Sequence, residues 1–72
     1  MVNINKLKGK IVENGTNVET IARQMGMDKA TLYRRFADEG KNFTIGEAQE
    51  ISSILNLTRD EINDIFFAPS VT

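Results

Sequence analysis

One motif limits what this 72-residue chain can fold into, because it occurs three times: a threonine followed three residues later by a glutamate. In such a capping box the threonine hydroxyl accepts from a backbone amide of the first helical turn, and the glutamate reaches back to the threonine amide. Thr16, Thr44 and Thr58 begin the three copies, and apolar residues at helical spacing follow each one. The sequence therefore predicts three helix starts.

Apolar residues spaced three and four apart dominate the rest of the chain, which favours further helices. No segment alternates apolar and polar residues over the length of a strand, apart from the short stretch 2–4, and the only proline is Pro69. The expected fold class is all-α, with five short helices in one domain over 1–72 and a C-terminal tail at 68–72. The predicted helices cover about residues 3–14, 17–25, 28–38, 45–55 and 59–67.

Capping residues and helical spacing also predict the helix boundaries and the residues that face the core. Gly15, Gly26 and Gly40 fall where the first three helices should stop, and Asp28 is the expected N-cap of the third. The residues expected to face the core are Ile4, Leu7, Ile11, Val18, Ile21, Ala22, Met25, Leu32, Phe36, Ile45, Ala48, Ile51, Leu55, Ile62, Ile65 and Phe66.

The composition excludes several kinds of chemistry. The chain has no cysteine and no histidine, so disulfides, thiolate catalysis and zinc sites built from these residues cannot form. No glycine-rich phosphate loop occurs, and the chain is short for enclosing a substrate pocket. We therefore expect no catalytic residues, no metal or other cofactor and no small-molecule substrate. No signal peptide or membrane-spanning run is visible, which predicts a cytoplasmic protein that does not bind membranes.

Charge is unevenly distributed along the sequence. Residues 1–41 carry eight basic and five acidic side chains, a net charge of +3, whereas residues 42–72 carry one basic and five acidic, a net charge of −4. The overall charge of −1 hides this asymmetry. A basic N-terminal half is suited to phosphate, and the acids of the last two helices are expected to form a solvated face.

Residues 17–36 have the pattern that a helix-turn-helix requires. Two helices that cross a short turn need a small residue at their closest approach, which Ala22 supplies. Gly26 suits the positive φ of the turn, and Met27 is an apolar residue that can enter the core from it. Leu32 provides a buried anchor on the second helix.

This pattern resembles the helix-turn-helix of phage Cro/repressor-type proteins, within the xenobiotic-response-element family of regulators. The stretches Phe43-Thr44-Ile45 and Leu55-Asn56-Leu57-Thr58 are similar to the last two helices of small Cro-like proteins, so the resemblance covers about residues 4–67. It implies a lambda-repressor-like DNA-binding domain. The implied function is a sequence-specific transcriptional regulator of phage or prophage type, a repressor that occupies a double-stranded DNA operator.

The resemblance also assigns candidate contact residues by position, with the start of the recognition helix in the major groove. The implied base contacts are Lys29, Ala30, Tyr33 and Arg34. The implied phosphate contacts are Asn17, Thr31, Arg35, Lys41 and Asn42. Arg35 departs from the family pattern, which has an apolar residue there, so we expect it to lie along the edge toward the DNA backbone while Phe36 takes over the packing.

The sequence is compatible with two alternatives at each of three points. Lys6, Lys8 and Lys10 form either a solvated face or phosphate contacts. The apolar stretch 66–71 either folds back on the core or supports a homodimer on DNA, with half-sites about 34 Å apart. The alternative function is a protein-interaction module of the same fold, such as an antirepressor or antitoxin-like inhibitor.

Overall fold

The computed structural model describes residues 2–67, and within them the chain forms five helices and no strand. The helices are α1 (Ile4–Glu13), α2 (Val18–Gln24), α3 (Lys29–Ala37), α4 (Ile45–Ile54) and α5 (Arg59–Phe66). The prediction of an all-α chain with five short helices is confirmed. None of the described helices is both long and apolar enough to cross a bilayer. The predicted tail at 68–72 lies outside the described residues.

Two of the three predicted capping boxes are present. At α4 the Thr44 hydroxyl accepts from the Glu47 amide, and the Glu47 carboxylate accepts from the Thr44 amide, both at 3.0 Å. Thr58 and Glu61 make the same reciprocal pair of hydrogen bonds at the start of α5. The capping boxes thus fix where the C-terminal pair of helices begins.

The capping box predicted at Thr16 is wrong. Asn17 is the N-cap of α2, and its Oδ1 accepts from the Thr20 amide at 2.8 Å. The Thr16 amide instead donates to the Ile11 carbonyl at 3.2 Å and completes the end of α1. Threonine and asparagine are both good N-caps, so two adjacent candidates left the starting residue undetermined by sequence.

The first four helices all end in a Schellman motif, in which two amides beyond the helix return to carbonyls of its last turn. After α2, the Gly26 amide donates to the Arg23 carbonyl at 3.1 Å and the Met27 amide to the Ala22 carbonyl at 2.8 Å. Gly26 has a φ of +70°, as the predicted turn requires. The chain therefore leaves α2 in one defined direction.

The end of α3 differs from the prediction. Its left-handed position is Glu39, with a φ of +58°, and Gly40 follows with a φ of +74°. Gly40 is buried, and a Cβ added to it would stand 2.5 Å from the Cβ of Val2. Glycine is required at position 40 because the N-terminal segment packs directly against the backbone there.

The core lies where the inward faces of all five helices meet. The buried apolar residues are Leu7, Ile11, Ile21, Ala22, Leu32, Phe36, Ile51, Leu55, Ile65 and Phe66. Phe43 stands between Phe36 and Phe66, with ring centroids 5.8 and 6.0 Å away, and so joins α3 to α5. The inward placement predicted for Ile45 is wrong: it is the first residue of α4 and 75% exposed.

Candidate nucleic-acid interface

Helices α2 and α3 pack against each other across a turn of four residues, 25–28. Ala22 on α2 and Leu32 on α3 are buried, and the half-buried Met27 packs against the core from the turn. The predicted burial of Ala22 and Leu32, the core contact of Met27 and the positive φ of Gly26 are confirmed. Asp28 occupies the N-cap position of α3, but its carboxylate makes no capping hydrogen bond.

The two faces of α3 differ in composition. Leu32 and Phe36, four residues apart, are buried and fix the rotation of the helix about its axis. The predicted base-contact residues are all exposed: Lys29, Ala30, Tyr33 and Arg34. Ala30 and Arg34 lie opposite the buried pair, Tyr33 lies on its flank, and Lys29 is the first residue of the helix. Residues at these spacings share one face of a helix, so the fold brings the four together on a single exposed surface.

Lys29 has one acidic neighbour. Its Nζ lies 3.8 Å from Glu19 Oε1, and both side chains are more than half exposed. An exposed ion pair at this distance contributes little to stability because water screens it and two long side chains must be ordered. The Lys29 ammonium is therefore available to another acceptor.

The predicted phosphate contacts are placed less uniformly. Lys41 is exposed and Thr31 is half-buried. Asn17 uses its side-chain carbonyl oxygen to cap α2, so that only the side-chain nitrogen can donate to a further group. The Asn42 amide donates to an Asp38 carboxylate oxygen at 2.7 Å. Thr31 lies in the first turn of α3, whereas Asn17 precedes α2 and residues 41 and 42 follow α3.

Arg35 has an intramolecular partner that sequence reasoning missed. Its Nε donates to Glu47 Oε1 at 3.2 Å and its Nη2 to Glu47 Oε2 at 3.3 Å. The hydrogen bond from Arg35 is the largest cause that lowers the pKa of Glu47 below its usual 4.5, while burial opposes it. Because Glu47 also caps α4, this ion pair connects α3 to the start of α4. The sequence signal that could have predicted this ion pair is Glu47 itself, the glutamate of the capping box that begins the next helix.

Two of the α1 lysines are also paired. Lys6 Nζ lies 2.9 Å from Asp64 Oδ2, and Lys10 contacts both Glu61 and Glu13. The hydrogen bond from Lys10 lowers the pKa of Glu61 from 4.5 to about 2, and the same contacts raise the pKa of Lys10. The sequence predicted that the acids of α4 and α5 form a solvated face. Three of these acids instead bind cations of α1 and α3.

These pairs change the meaning of the charge asymmetry. The basic and acidic halves of the sequence lie against each other, and Lys6, Lys10 and Arg35 are partly neutralised by carboxylates of the C-terminal half. The cations of the N-terminal half that make no ion pair among the described residues are Lys8, Arg23, Arg34 and Lys41. The positive charge that remains includes the exposed face of α3.

No family model, no curated protein and no solved structure matches this chain.

Proposed function

We propose that this chain is a sequence-specific DNA-binding transcriptional regulator of the Cro-like, lambda-repressor-like type, and that α2, the turn 25–28 and α3 act as its helix-turn-helix. The observation that carries this proposal is the exposed face of α3, which presents Lys29, Ala30, Tyr33 and Arg34 on a helix without an acidic residue. The lysine and arginine can donate to guanine O6 and N7, and the alanine methyl can contact a thymine methyl.

Several contacts fix the position of this face within the fold. Leu32 and Phe36 anchor α3 in the core, the Schellman turn after α2 sets its direction, and the Arg35–Glu47 pair fixes its C-terminal end. A rigid recognition helix is useful because base contacts depend on placing donors accurately against base edges. The protein would act in the cytoplasm as a repressor that blocks the operator, without catalysis or a cofactor.

We further propose that two copies bind one operator. Ile45 and Phe67, which are 75% and 64% exposed, border a groove of about 460 Å³ between α4 and α5. The groove is lined by Ile45, Ala48, Gln49, Ser52, Ser53, Leu57, Ile62 and Phe67, none of which is charged. An uncharged groove with protruding apolar side chains at its border is suited to a self-complementary contact across a two-fold axis.

Selection of bound sites from a random pool of DNA duplexes tests this proposal. We expect an enriched palindromic site whose half-sites are about 34 Å apart. In anisotropy titrations on that site, Lys29→Ala and Arg34→Ala should each weaken binding by about 1–3 kcal/mol and relax the preference at one position. Arg59→Ala on α5 removes the same charge from an exposed site and is the matched control.

Four results would contradict the proposal. A pool without an enriched sequence would exclude specific recognition, and affinity that does not fall with added salt would exclude phosphate contacts. Equal effects of Arg34→Ala and Arg59→Ala would remove α3 from the interface. A pull-down that captures a protein partner after nuclease treatment, together with no DNA binding, would favour the protein-interaction module instead.

A further inference from the structure

The three lysines of α1 lie on two different sides of the helix. Leu7 and Ile11 form its buried line, and helical geometry puts residues 6 and 10 on one flank of that line and residue 8 on the other. Lys6 and Lys10 bind acids of α5, so their flank faces the C-terminal half. Lys8 is therefore directed away from these acids.

The flank of Lys8 faces α3. A groove of about 490 Å³ runs between the end of α1, the start of α2 and α3. Its lining residues are Lys8, Ile11, Val12, Thr16, Asn17, Val18, Tyr33, Phe36 and Ala37. No acid lines this groove, and Lys8 makes no ion pair within the described part of the chain. Tyr33 belongs both to this groove and to the exposed face of α3.

The polar groups of the groove share one chemical property. The Lys8 ammonium, the Thr16 and Tyr33 hydroxyls and the Asn17 amide are all hydrogen-bond donors, and Asn17 has already committed its oxygen to the cap of α2. Donors around a single cation, without a competing carboxylate, suit an anionic oxygen. A phosphodiester of DNA has this chemistry and would lie beside a base-reading helix.

We propose that the groove between α1 and α3 binds a phosphate of the DNA backbone, with Lys8 as its cation and Asn17 and Tyr33 as neighbouring donors. This inference rests on the proposed function. It extends the interface from α3 to α1 through Lys8 alone, because Lys6 and Lys10 are held by Asp64 and Glu61. Of the three α1 lysines, Lys8 is thus proposed to contact phosphate, whereas Lys6 and Lys10 are not.

The test is the salt dependence of affinity for the selected duplex. Log affinity falls as log salt concentration rises, and each phosphate contact adds about 0.9 to the steepness of this fall. The word slope below means this steepness, taken as a positive number. Lys8→Ala should lower the slope by about 0.9 and weaken binding about eightfold at 0.1 M salt, whereas Lys8→Arg should keep both. Lys6→Ala removes the same charge from the same helix and should leave the slope unchanged. Thermal unfolding of each variant checks that these exposed substitutions leave the fold intact.

The outcomes separate the two proposals. Equal slopes for Lys8→Ala and Lys6→Ala, with Arg34→Ala still impaired, would overturn the phosphate site while the proposed function stands. A wild-type protein that binds no duplex would overturn both. A slope lowered only in Lys8→Ala would support the site.

Discussion

The ion pair between Arg35 and Glu47 yields the most discriminating prediction, because the sequence assigned this arginine to DNA phosphate. Replacing Arg35 with methionine keeps an unbranched apolar stem but removes the guanidinium. Hydrogen bonds to charged groups contribute about 1.5–3 kcal/mol each when fully buried. Here the two distances are 3.2 and 3.3 Å and the side chains are 26% and 17% exposed, which weakens both bonds.

We therefore expect the pair to contribute about 1–2 kcal/mol in total. In a domain of this size 1 kcal/mol corresponds to about 4–8 °C in Tm, so Arg35→Met should lower Tm by about 5–15 °C. Glu47→Gln is the matched partner, because the amide oxygen can still accept from the Thr44 amide and preserve the cap. In a double-mutant cycle, the two substitutions together should destabilise by less than the sum of their separate effects.

Thermal unfolding followed by circular dichroism gives the stability of all four proteins. DNA titrations well below Tm then distinguish the two roles of Arg35. A positioning residue leaves the salt slope of binding unchanged, whereas a phosphate contact would lower it by about 0.9 on substitution. An Arg35→Met protein with wild-type Tm and a lowered slope would refute the reasoning and restore the assignment made from sequence.

Three further predictions concern stability. Glu39 has a positive φ, so Glu39→Gly should be about 0.5–1 kcal/mol more stable than the charge-matched Glu39→Ala in chemical denaturation, and equal stabilities would contradict this. Gly40→Ala should instead destabilise, because its Cβ would meet Val2. The pKa of Glu61 is lowered from 4.5 to about 2 by Lys10, so its stabilising effect is present above pH 4.5 and is lost as the pH falls toward 2. Glu61→Gln should flatten the stability–pH profile in that window, and an unchanged profile would exclude this contribution.

Local interactions explain why the sequence determined so much of the fold. The capping boxes at Thr44 and Thr58 and the glycine at position 26 act within a few residues of themselves, so their effect could be predicted from spacing alone. The same holds for the buried and exposed faces of α3, because helical periodicity places Ala30 and Arg34 opposite Leu32 once the helix is assigned.

Other features depend on which helices become neighbours, and only the tertiary structure decided them. Lys6, Lys8 and Lys10 are equivalent in sequence, yet α5 lies against one flank of α1 and the groove beside α3 against the other. Arg35 was predicted to contact phosphate, and only the fold shows that Glu47 lies within hydrogen-bond distance of it. An ion pair between distant residues leaves no local periodicity, since it depends on how helices pack and not on the spacing within any one of them.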